Sequence, residues 1–285
     1  MRILLLGASG FIGRHLEVAL VEAGHAVVRA SRNARGQGDV QVDYVHDTAA
    51  AVWLPRLKGI DVVVNAVGVL RDAVKTPMQA IHADAPKALF DACAQSNVLR
   101  VIQISALGAG SRDDLAYMRT KGEADAHLQS LSLSHCIFRP SVVYGHDGES
   151  ATMFRQLAAS PVLVVPGRGE SMLQPVHIDD LCAGVVKAVS GAVSQCVVHA
   201  VGPQAMSYRE MVACYRAQRH SRAAWVVPMP WFLMNCVAAI AQYVPSSPLE
   251  PDTLTMLRAG SVADAAPFEQ LLGRALRHPN TFLMG

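Results

Sequence analysis

Tyr117 and Lys121 lie four residues apart in a stretch of helix-forming sequence. In a helix this spacing brings a phenol and an ammonium to one face. A nearby ammonium stabilises a phenolate and lowers the pKa of the tyrosine, so Tyr117 could act as acid or base on a carbonyl or an alcohol. Lys121 could also hold the ribose of a nicotinamide cofactor. The pair therefore predicts proton transfer beside a bound dinucleotide.

A glycine-rich loop, Gly7 to Gly13, follows the first expected strand and opens the first expected helix. Glycines here permit a tight turn, a close approach of backbone N–H groups to a diphosphate, and close packing of the helix on the strand. The helix N-terminus adds unpaired donors and the positive end of its dipole. The loop therefore predicts a dinucleotide site; the alternative is a tight corner that binds nothing.

The end of the second expected strand indicates which dinucleotide is bound. NAD-specific sites place a carboxylate there to hold the ribose 2′-hydroxyl, whereas this chain has Ser31 followed by Arg32. A hydroxyl and a guanidinium bind a 2′-phosphate that a carboxylate would repel, and Arg14 could supply a second cation. We therefore expect NADP(H) in preference to NAD(H), unless Arg32 merely faces solvent. Asp47, after the third strand, is placed either to reach the adenine amino group or to lie in a solvated turn.

The elements that must position these groups alternate between strand and helix. Six short apolar runs predict strands: Arg2–Leu6, Ala26–Ala30, Gln41–Val45, Val62–Ala66, Val101–Ile104 and Cys136–Arg139. Three longer stretches predict helices: Phe11–Glu22, Pro77–Ser96 and Tyr117–Ser130. Strands that alternate with helices form β-α-β crossovers, and uniformly apolar strands are buried on both faces. We therefore predict an α/β fold with a doubly wound parallel sheet, the Rossmann architecture.

After about residue 146 this alternation weakens, and proline and glycine become frequent. Ser207 and Glu210 have the spacing of a capping box, which predicts a helix that runs to about Arg219. Six apolar residues recur at helical spacing and would form one face of a further helix: Trp231, Met234, Val237, Ala238, Ala241 and Val244. We therefore expect an NADP-binding domain over residues 1–146, with contributions up to about residue 200, and a small, mostly helical substrate lobe over residues 147–285.

Composition excludes several classes of protein. Hydrophobic residues make up 51% of the 285 residues and charged residues 17%, which is too apolar for a disordered chain. The formal net charge is +2, and no basic face or tail indicates a nucleic-acid partner. The six cysteines lie far apart without the spacing of metal ligands, so we expect no metal site and reduced thiols in a cytoplasmic protein.

One uncharged stretch bears on the question of membrane contact. Ala223 to Val244 is interrupted by Pro228 and Pro230, and what remains is shorter than the roughly 20 residues of a membrane-spanning helix. A basic group precedes the stretch directly: Arg216, Arg219, His220 and Arg222. Apolar residues beside basic ones can form a patch on a membrane surface, line an apolar substrate pocket, or simply join the core.

Four motifs, taken in order, resemble the extended and atypical short-chain dehydrogenase/reductase family, which includes NAD(P)-dependent epimerases and dehydratases. They are the loop Gly7 to Gly13, the pair Tyr117 and Lys121, the segment Arg139 to Gly145 (RPSVVYG), and the segment Pro175 to Leu181 (PVHIDDL). Ile104 to Ala109, followed by a short gap, looks like one branch of the family. That branch contains the nucleotide-binding accessory subunit of respiratory complex I and its bacterial relatives.

The resemblance implies a set of site residues. Tyr117, Lys121 and Ser105 would be catalytic. Cofactor contacts would come from the loops at the strand ends: Gly7, Ser9, Gly10, Phe11, Ile12, Gly13, Arg14, Ser31, Arg32, Asp47, Thr48, Ala66, Val67, Gly68, Ser105, Tyr117, Lys121, Pro140 and Val143. The chain departs from the family at Ala106, which stands where family enzymes carry a catalytic Ser or Thr. Loss of one transition-state hydrogen-bond donor costs about 10²–10³ in rate.

Three functions agree with these residues. The first is an NADP-dependent oxidoreductase that acts on an apolar carbonyl, alcohol or quinone-like molecule. The second is a structural or sensory protein that binds NADPH without turnover, like the complex I accessory subunit. Association with a protein complex or a membrane surface stays open for the chain whichever function holds. The third is a nucleotide-sugar epimerase or dehydratase, which Ala106 and the apolar second part of the chain disfavour.

Overall fold

The structure is a computed structural model, and it describes residues 1–34, 36, 38–148, 160–218, 225–241 and 250–284. The chain divides into two compact units. The first unit consists of Met1–Pro140, Ile178–Ala200 and Gln270–Gly273, and the second unit of Ser141–His177, Val201–Glu269 and Arg274–Gly285. Each unit has its own cluster of buried apolar side chains.

Strands and helices follow one another along the chain. The strands are β1 (Arg2–Leu6), β2 (Ala26–Ser31), β3 (Val40–Gln41), β4 (Val62–Asn65), β5 (Arg100–Ile104), β6 (His135–Pro140), β7 (Val143–Tyr144), β8 (Val162–Pro166), β9 (Met172–Leu173), β10 (Val176–His177), β11 (Cys196–Ala200), β12 (Met206–Ser207) and β13 (Trp225–Met229). The α-helices are α1 (Phe11–Glu22), α2 (Ala50–Trp53), α3 (Ala85–Ala94), α4 (Ala116–Ser130), α5 (Ile178–Val189), α6 (Tyr208–Gln218), α7 (Trp231–Ala241), α8 (Pro251–Ala259) and α9 (Ala266–Leu272). A π-helical turn covers Ala80–Asp84, and 3-10 turns cover Leu54–Leu57 and Pro279–Met284.

The first unit is built on a seven-stranded sheet in the order β11-β6-β5-β4-β1-β2-β3. Each pair of neighbouring strands is parallel. Leu4 and Leu6 of β1 share one buried cluster with Phe90 of α3 and Leu128 of α4, while α1 contacts α5. Successive side chains of a strand point to opposite faces, so helices cover both. The predicted doubly wound α/β fold is confirmed.

Most predicted elements are confirmed to within a residue or two, and α1 has the predicted bounds. The predicted length of the third strand is wrong, because β3 ends at Gln41 instead of reaching Val45. The reason is Asp43, whose Oδ1 accepts the N–H of Val45 at 3.0 Å. Such a side-chain hydrogen bond offers the backbone a turn in place of a sheet ladder.

The prediction of one continuous helix over residues 77–96 is also wrong, because a π-helical turn at Ala80–Asp84 precedes α3. Pro86 explains the change. A proline lacks the N–H that would bond to the carbonyl of the residue four positions earlier, and its ring crowds that carbonyl. Here that residue is His82, so the helix passes through one wider turn, a feature often found at functional sites.

The second unit combines helices with short strand pairs. Tyr144, Tyr215 and Phe282 stack within its apolar cluster, with ring centroids 4.9 Å apart for Tyr144 and Phe282. The predicted capping box is confirmed, because Glu210 Oε2 accepts the Ser207 N–H at 2.7 Å and Ser207 Oγ accepts the Glu210 N–H at 3.2 Å. Together these contacts fix the start of α6.

The predicted apolar face of α7 is buried only in part. Met234 and Ala238 are buried against Leu254 of α8, but Val237 is exposed, and Val244 lies outside the described residues. The opposite face of α7 is also apolar, with Phe232 65% and Ile240 72% exposed. Over the described ranges, no helix combines the length and the apolar character needed to cross a membrane.

Candidate functional site

The glycine loop of the first unit is shaped by close backbone approaches. Gly7 has a φ of +78°, a left-handed conformation that glycine adopts without steric cost. A Cβ on Gly13 would lie 2.0 Å from the carbonyl oxygen of Gly7, so only glycine lets α1 start so close to the end of β1. The N–H of Gly10 donates to the same oxygen at 2.9 Å.

The first turn of α1 offers backbone donors to an anion. Gly10 precedes the helix in an extended conformation and supplies no side-chain cap, and the first turn contains no acidic residue. The N–H groups of this turn therefore remain available, in the field of the helix dipole. Arg14 Nη1 donates to the carbonyl of Ser9 at 2.9 Å, and Phe11 packs edge-on against His15. Ile12 is partly buried. This geometry fits a diphosphate.

Ser31 and Arg32 lie at the carboxyl end of β2, where the side chain of Arg32 is exposed. Their backbone is held, since the carbonyl of Ser31 accepts the N–H of Val42 at 3.1 Å. The hydrogen bond from His46 is the largest of the effects that lower the pKa of Asp43, and the positive charge of Arg32 adds to them. The acidic Asp43 thus lies near Arg32, the residue predicted to bind the 2′-phosphate.

Asp47 is engaged within the protein. Its Oδ2 accepts from Arg56 Nη1 at 2.6 Å and from the N–H of Asp43 at 2.6 Å, and its Oδ1 accepts from Arg56 Nη2 at 3.2 Å. The carbonyl of Asp47 also accepts from the indole of Trp53. The carboxylate therefore holds the turn after β3 together, with the exposed Thr48 beside it. Contact of either residue with adenine stays a prediction.

A buried polar network fixes the end of β4. Asn65 Oδ1 accepts from Tyr44 Oη at 2.8 Å and from the N–H of Val67 at 3.2 Å, while Asn65 Nδ2 donates to Gln103 Oε1 at 2.8 Å. These bonds satisfy polar groups that are costly to bury unpaired. They also set the path of Ala66, Val67 and Gly68, which the sequence predicted as cofactor contacts.

Lys121 extends from α4 to this loop. Its side chain is buried, and Nζ donates to the carbonyls of Val67 and Ile104, both at 3.1 Å. A Cβ on the exposed Gly68 would lie 3.2 Å from Nζ, so the absence of a side chain there leaves space beside the ammonium. Burial lowers the pKa of Lys121 to about 8, against a smaller opposing effect of Asp125. A ligand hydroxyl in that space would meet the ammonium.

Tyr117 lies one turn before Lys121 on α4. Its ring packs edge-on against His82, with centroids 5.4 Å apart. Burial raises the pKa of Tyr117 to about 12, whereas the sequence predicted a lowering by the ammonium. Among the described residues, no hydrogen bond is made by its hydroxyl, which is therefore available to a substrate oxygen.

His82 belongs to the site, although sequence analysis did not single it out. It lies in the π-helical turn, where Nε2 accepts the N–H of Val69 at 2.9 Å and Nδ1 lies 3.2 Å from Thr120 Oγ1. Burial, with the charge of Lys121, lowers the pKa of His82 to about 2. The neutral imidazole thus joins the loop after β4 to α4.

Ser105, at the end of β5, donates its hydroxyl proton within the fold. Ser105 Oγ bonds to Asp125 Oδ2 at 2.8 Å, and Arg139 Nε donates to the same oxygen at 2.9 Å. Burial raises the pKa of Asp125, while the bonds from Ser105 and Arg139 oppose that rise. This arrangement gives Ser105 a structural bond, and its predicted catalytic role stays untested. Asp125 is a second site residue that sequence analysis missed.

The remaining predicted residues lie near strand ends. Ala106 is buried after β5 and has no hydroxyl to offer a substrate. Pro140 ends β6, and its carbonyl accepts the N–H of Leu107 at 2.9 Å. Val143 belongs to β7 of the second unit and pairs with Val176. Within the first unit the structure brings together Gly68, Tyr117 and Lys121.

Comparison with known proteins agrees with this fold and these motifs. The profile of the NAD dependent epimerase/dehydratase family matches residues 3–197, which confirms the resemblance stated from the motifs. An epimerase family protein of Bacillus subtilis, YfhF, is 23% identical over 262 residues, covering 82% of this chain and 84% of that protein.

Two further relatives differ in what their names describe. Ceramide reductase of Caulobacter vibrioides is 29% identical over 188 residues, covering 64% of this chain and 59% of that protein. Subunit 9 of the mitochondrial NADH dehydrogenase [ubiquinone] 1 alpha subcomplex of mouse is 24% identical over 264 residues, covering 87% of this chain and 68% of the subunit. The match thus spans about three fifths of the reductase and two thirds of the subunit.

Solved structures share the fold at low identity. A nucleoside-diphosphate-sugar epimerase of Staphylococcus aureus superposes with a TM-score of 0.80 at 18% identity, covering all of both chains. UDP-glucuronic acid 4-epimerase of Bacillus cereus, in complex with UDP-glucuronic acid and NAD, gives a TM-score of 0.72 at 20% identity, covering 100% of this chain and 97% of the epimerase.

Proposed function

The chain belongs to the NAD dependent epimerase/dehydratase family, and from this premise we propose that it is an NADP(H)-dependent oxidoreductase that reduces an apolar carbonyl or quinone-like substrate. One observation carries the proposal. The buried ammonium of Lys121 is held by the carbonyls of Val67 and Ile104 beside the open space at Gly68. The hydroxyl of Tyr117 is available one turn earlier on the same helix.

The state of Tyr117 favours reduction over oxidation. A phenol with a pKa of about 12 stays protonated near neutral pH and can donate its proton to a carbonyl oxygen that gains charge. When bound, the nicotinamide supplies the hydride for this reaction. Lys121, one turn later on the same helix, would hold the ribose of the bound cofactor. The side chain of Ala106 offers the substrate no hydrogen bond, so substrate binding depends more on apolar contact.

The preference for NADP(H) rests on the residues after β2. Arg32 is exposed and Ser31 precedes it, and a guanidinium with a hydroxyl suits a 2′-phosphate. Arg14 at the start of α1 adds a second positive charge to this side of the site. The carboxyl of Asp43 partly offsets the charge of Arg32, which we expect to moderate rather than abolish the preference.

The kind of substrate is proposed from chemistry and from one relative. Ala106 removes a hydrogen-bond donor that a sugar substrate would use. The Caulobacter relative at 29% identity is named ceramide reductase, a name that refers to a lipid and to a reduction. Both observations favour an apolar carbonyl over a sugar nucleotide as the substrate. The sugar-nucleotide epimerases compared above share the fold at low identity and therefore do not support a sugar nucleotide as the substrate here.

A second function is favoured by a separate observation. The hydroxyl of Ser105 is bonded to Asp125, and Ala106 has none, so the end of β5 offers a substrate no side-chain hydroxyl. A protein that binds NADPH without turnover would need no such donor. The relation to a complex I subunit agrees with this alternative, in which the bound dinucleotide stabilises the first unit.

A turnover assay separates the two functions. Purified protein with bound NADPH is incubated with a panel of apolar carbonyls and quinones, and oxidation of the nicotinamide is followed by absorbance. We expect Tyr117→Phe to lower this rate by about 10²–10⁴ while NADPH binding persists. Tyr208→Phe, which removes a phenol hydroxyl from the second unit, is the matched control. Tight binding of NADPH with no oxidation by any substrate would establish the second function.

We also propose that α7 meets an anionic phospholipid surface from the cytoplasmic side. Its outer face carries Phe232 and Ile240, and apolar residues so exposed mark an interaction site. From Met211 to Leu249 the sequence contains no acidic residue, so no carboxylate in this stretch would repel an anionic lipid surface. Of its three arginines, Arg216 is buried, and the other two lie outside the described residues, as does His220. Phe232→Ser should reduce cosedimentation with anionic vesicles, and equal sedimentation of the variant would contradict the proposal.

A further inference from the structure

Two cysteines of the first unit face each other across neighbouring strands. Cys196 opens β11, the edge strand of the sheet, and is the register partner of Cys136 on β6. Their Sγ atoms are 3.1 Å apart. Both are reduced thiols in this structure, and neither takes part in the proposed reaction.

The backbone geometry suits a covalent bond between them. Neighbouring strands lie about 4.8 Å apart, within the range of Cα separations, about 4.4–6.8 Å, that disulfides span. Register partners on parallel strands also point to the same face of the sheet. A small change of side-chain rotamer would therefore bring the two sulfurs from 3.1 Å to bonding distance without moving a strand.

The two thiols differ in a way that suits stepwise oxidation. Cys136 is fully buried, whereas Cys196 is partly exposed on the sheet edge. The hydrogen bond from Cys136 lowers the pKa of Cys196 and raises that of Cys136, and the charge of Arg100 lowers both. Arg100 is fixed in place, since it donates to Ser134 Oγ and to the carbonyl of Ala188. Cys196 is thus the accessible nucleophile, and Cys136 the partner behind it.

We propose that Cys136 and Cys196 are a redox site that a peroxide converts to a disulfide between β6 and β11. The Cys196 thiolate attacks one oxygen of hydrogen peroxide, the O–O bond breaks, and the leaving hydroxide takes a proton to become water. Cys136 then gives up its proton and attacks the sulfenic sulfur of Cys196. The S–S bond forms, the S–O bond breaks, and a second water leaves. A dithiol reverses the reaction by thiol–disulfide exchange.

The bond would join positions 60 residues apart and tie the edge strand to the sheet. It would enclose the whole chain segment between β6 and β11, which includes residues 141–177 of the second unit. Cross-linking of so long a loop restricts the unfolded chain. We therefore expect the oxidised protein to unfold at a temperature higher by roughly 5 °C or more.

Peptide mapping tests the proposal on the whole protein. Trypsin does not cut between Arg139 and Pro140, so Cys136 falls in the peptide 122–155 and Cys196 in the peptide 188–209, each with a single cysteine. After brief exposure of the folded protein to hydrogen peroxide and alkylation of remaining thiols, we expect these two peptides linked and lighter by two hydrogens. Dithiothreitol should separate them and lower the unfolding temperature again.

Variants assign the order of events. In Cys136→Ser the sulfenic acid of Cys196 should accumulate and react with dimedone, while in Cys196→Ser neither the adduct nor the link should form. Cys236→Ser, which removes an exposed cysteine on α7, is the control and should behave as the parent. Linkage only after unfolding, or oxidation of Cys236 while both strand cysteines still alkylate, would overturn the proposal.

Discussion

Lys121 makes the stability of the protein depend on pH in a way that its burial predicts. Burial lowers its pKa from the ordinary 10.5 to about 8, which corresponds to about 3 kcal/mol of differential stability. Below about pH 8 both folded and unfolded chains hold the proton, and the folded state carries the cost of the buried ammonium. As the pH rises from about 8 to about 10.5, the folded state releases the proton while the unfolded chain keeps it. The free energy of unfolding therefore gains up to about 3 kcal/mol over that window.

The comparison of wild type with Lys121→Met isolates this effect from other groups that titrate at alkaline pH. Urea unfolding of both proteins without nucleotide, at several values between about pH 7 and about pH 10.5, gives the difference in free energy. We expect that difference to shift by about 3 kcal/mol in favour of the wild type. Lys87→Met, which removes a partly exposed lysine paired with Glu123, is the control. A difference that stays constant with pH would refute the reasoning.

Three further variants test other contacts. Burial lowers the pKa of His82 to about 2, so below about pH 6.5 the unfolded chain binds a proton that the folded chain does not. The free energy of unfolding then falls by up to about 1.4 kcal/mol for each unit by which the pH is lowered. His82→Gln should make this fall less steep in urea titrations, and an unchanged slope would contradict the assignment. Arg32→Ala should weaken NADPH at least about tenfold more than NADH by calorimetry, with Arg29→Ala as control, and equal losses would remove the 2′-phosphate role. Gly13→Ala places a Cβ 2.0 Å from the carbonyl of Gly7 and should abolish measurable NADPH binding, whereas retained affinity would show that the loop is not the diphosphate site.

The fold could be predicted from local pattern wherever one pattern dominates. The apolar run of β1, the glycine loop and the bounds of α1 all depend on neighbouring residues. Prediction failed where a side chain or an imino acid changed the local hydrogen bonding, as Asp43 does after β3 and as Pro86 does in the first turn of α3. It failed also at α7, because a helix that is apolar all round does not reveal which face packs.

The site was predictable in part for the same reason. Tyr117 and Lys121 share one helix, so their spacing alone places them together. His82 reaches Thr120 across 38 positions of sequence, and a lone histidine with no motif around it gives no signal of such a contact. Asp125 follows Lys121 by one turn of α4, but only the path of β5 brings Ser105 to it, 20 positions earlier.

The order of the chain determines when the first unit can be completed during synthesis. Ile178–Ala200 supplies the first unit with the edge strand β11 and with α5, whose Leu181 and Val185 are buried. This segment is synthesised only after Ser141–His177, which belongs to the second unit. Until those residues leave the ribosome, β6 has an unpaired edge, which is prone to associate with other chains. A truncated protein that stops at residue 146 would therefore aggregate instead of binding nucleotide, and a fragment that contains the complete first unit must run from Met1 to Gly273.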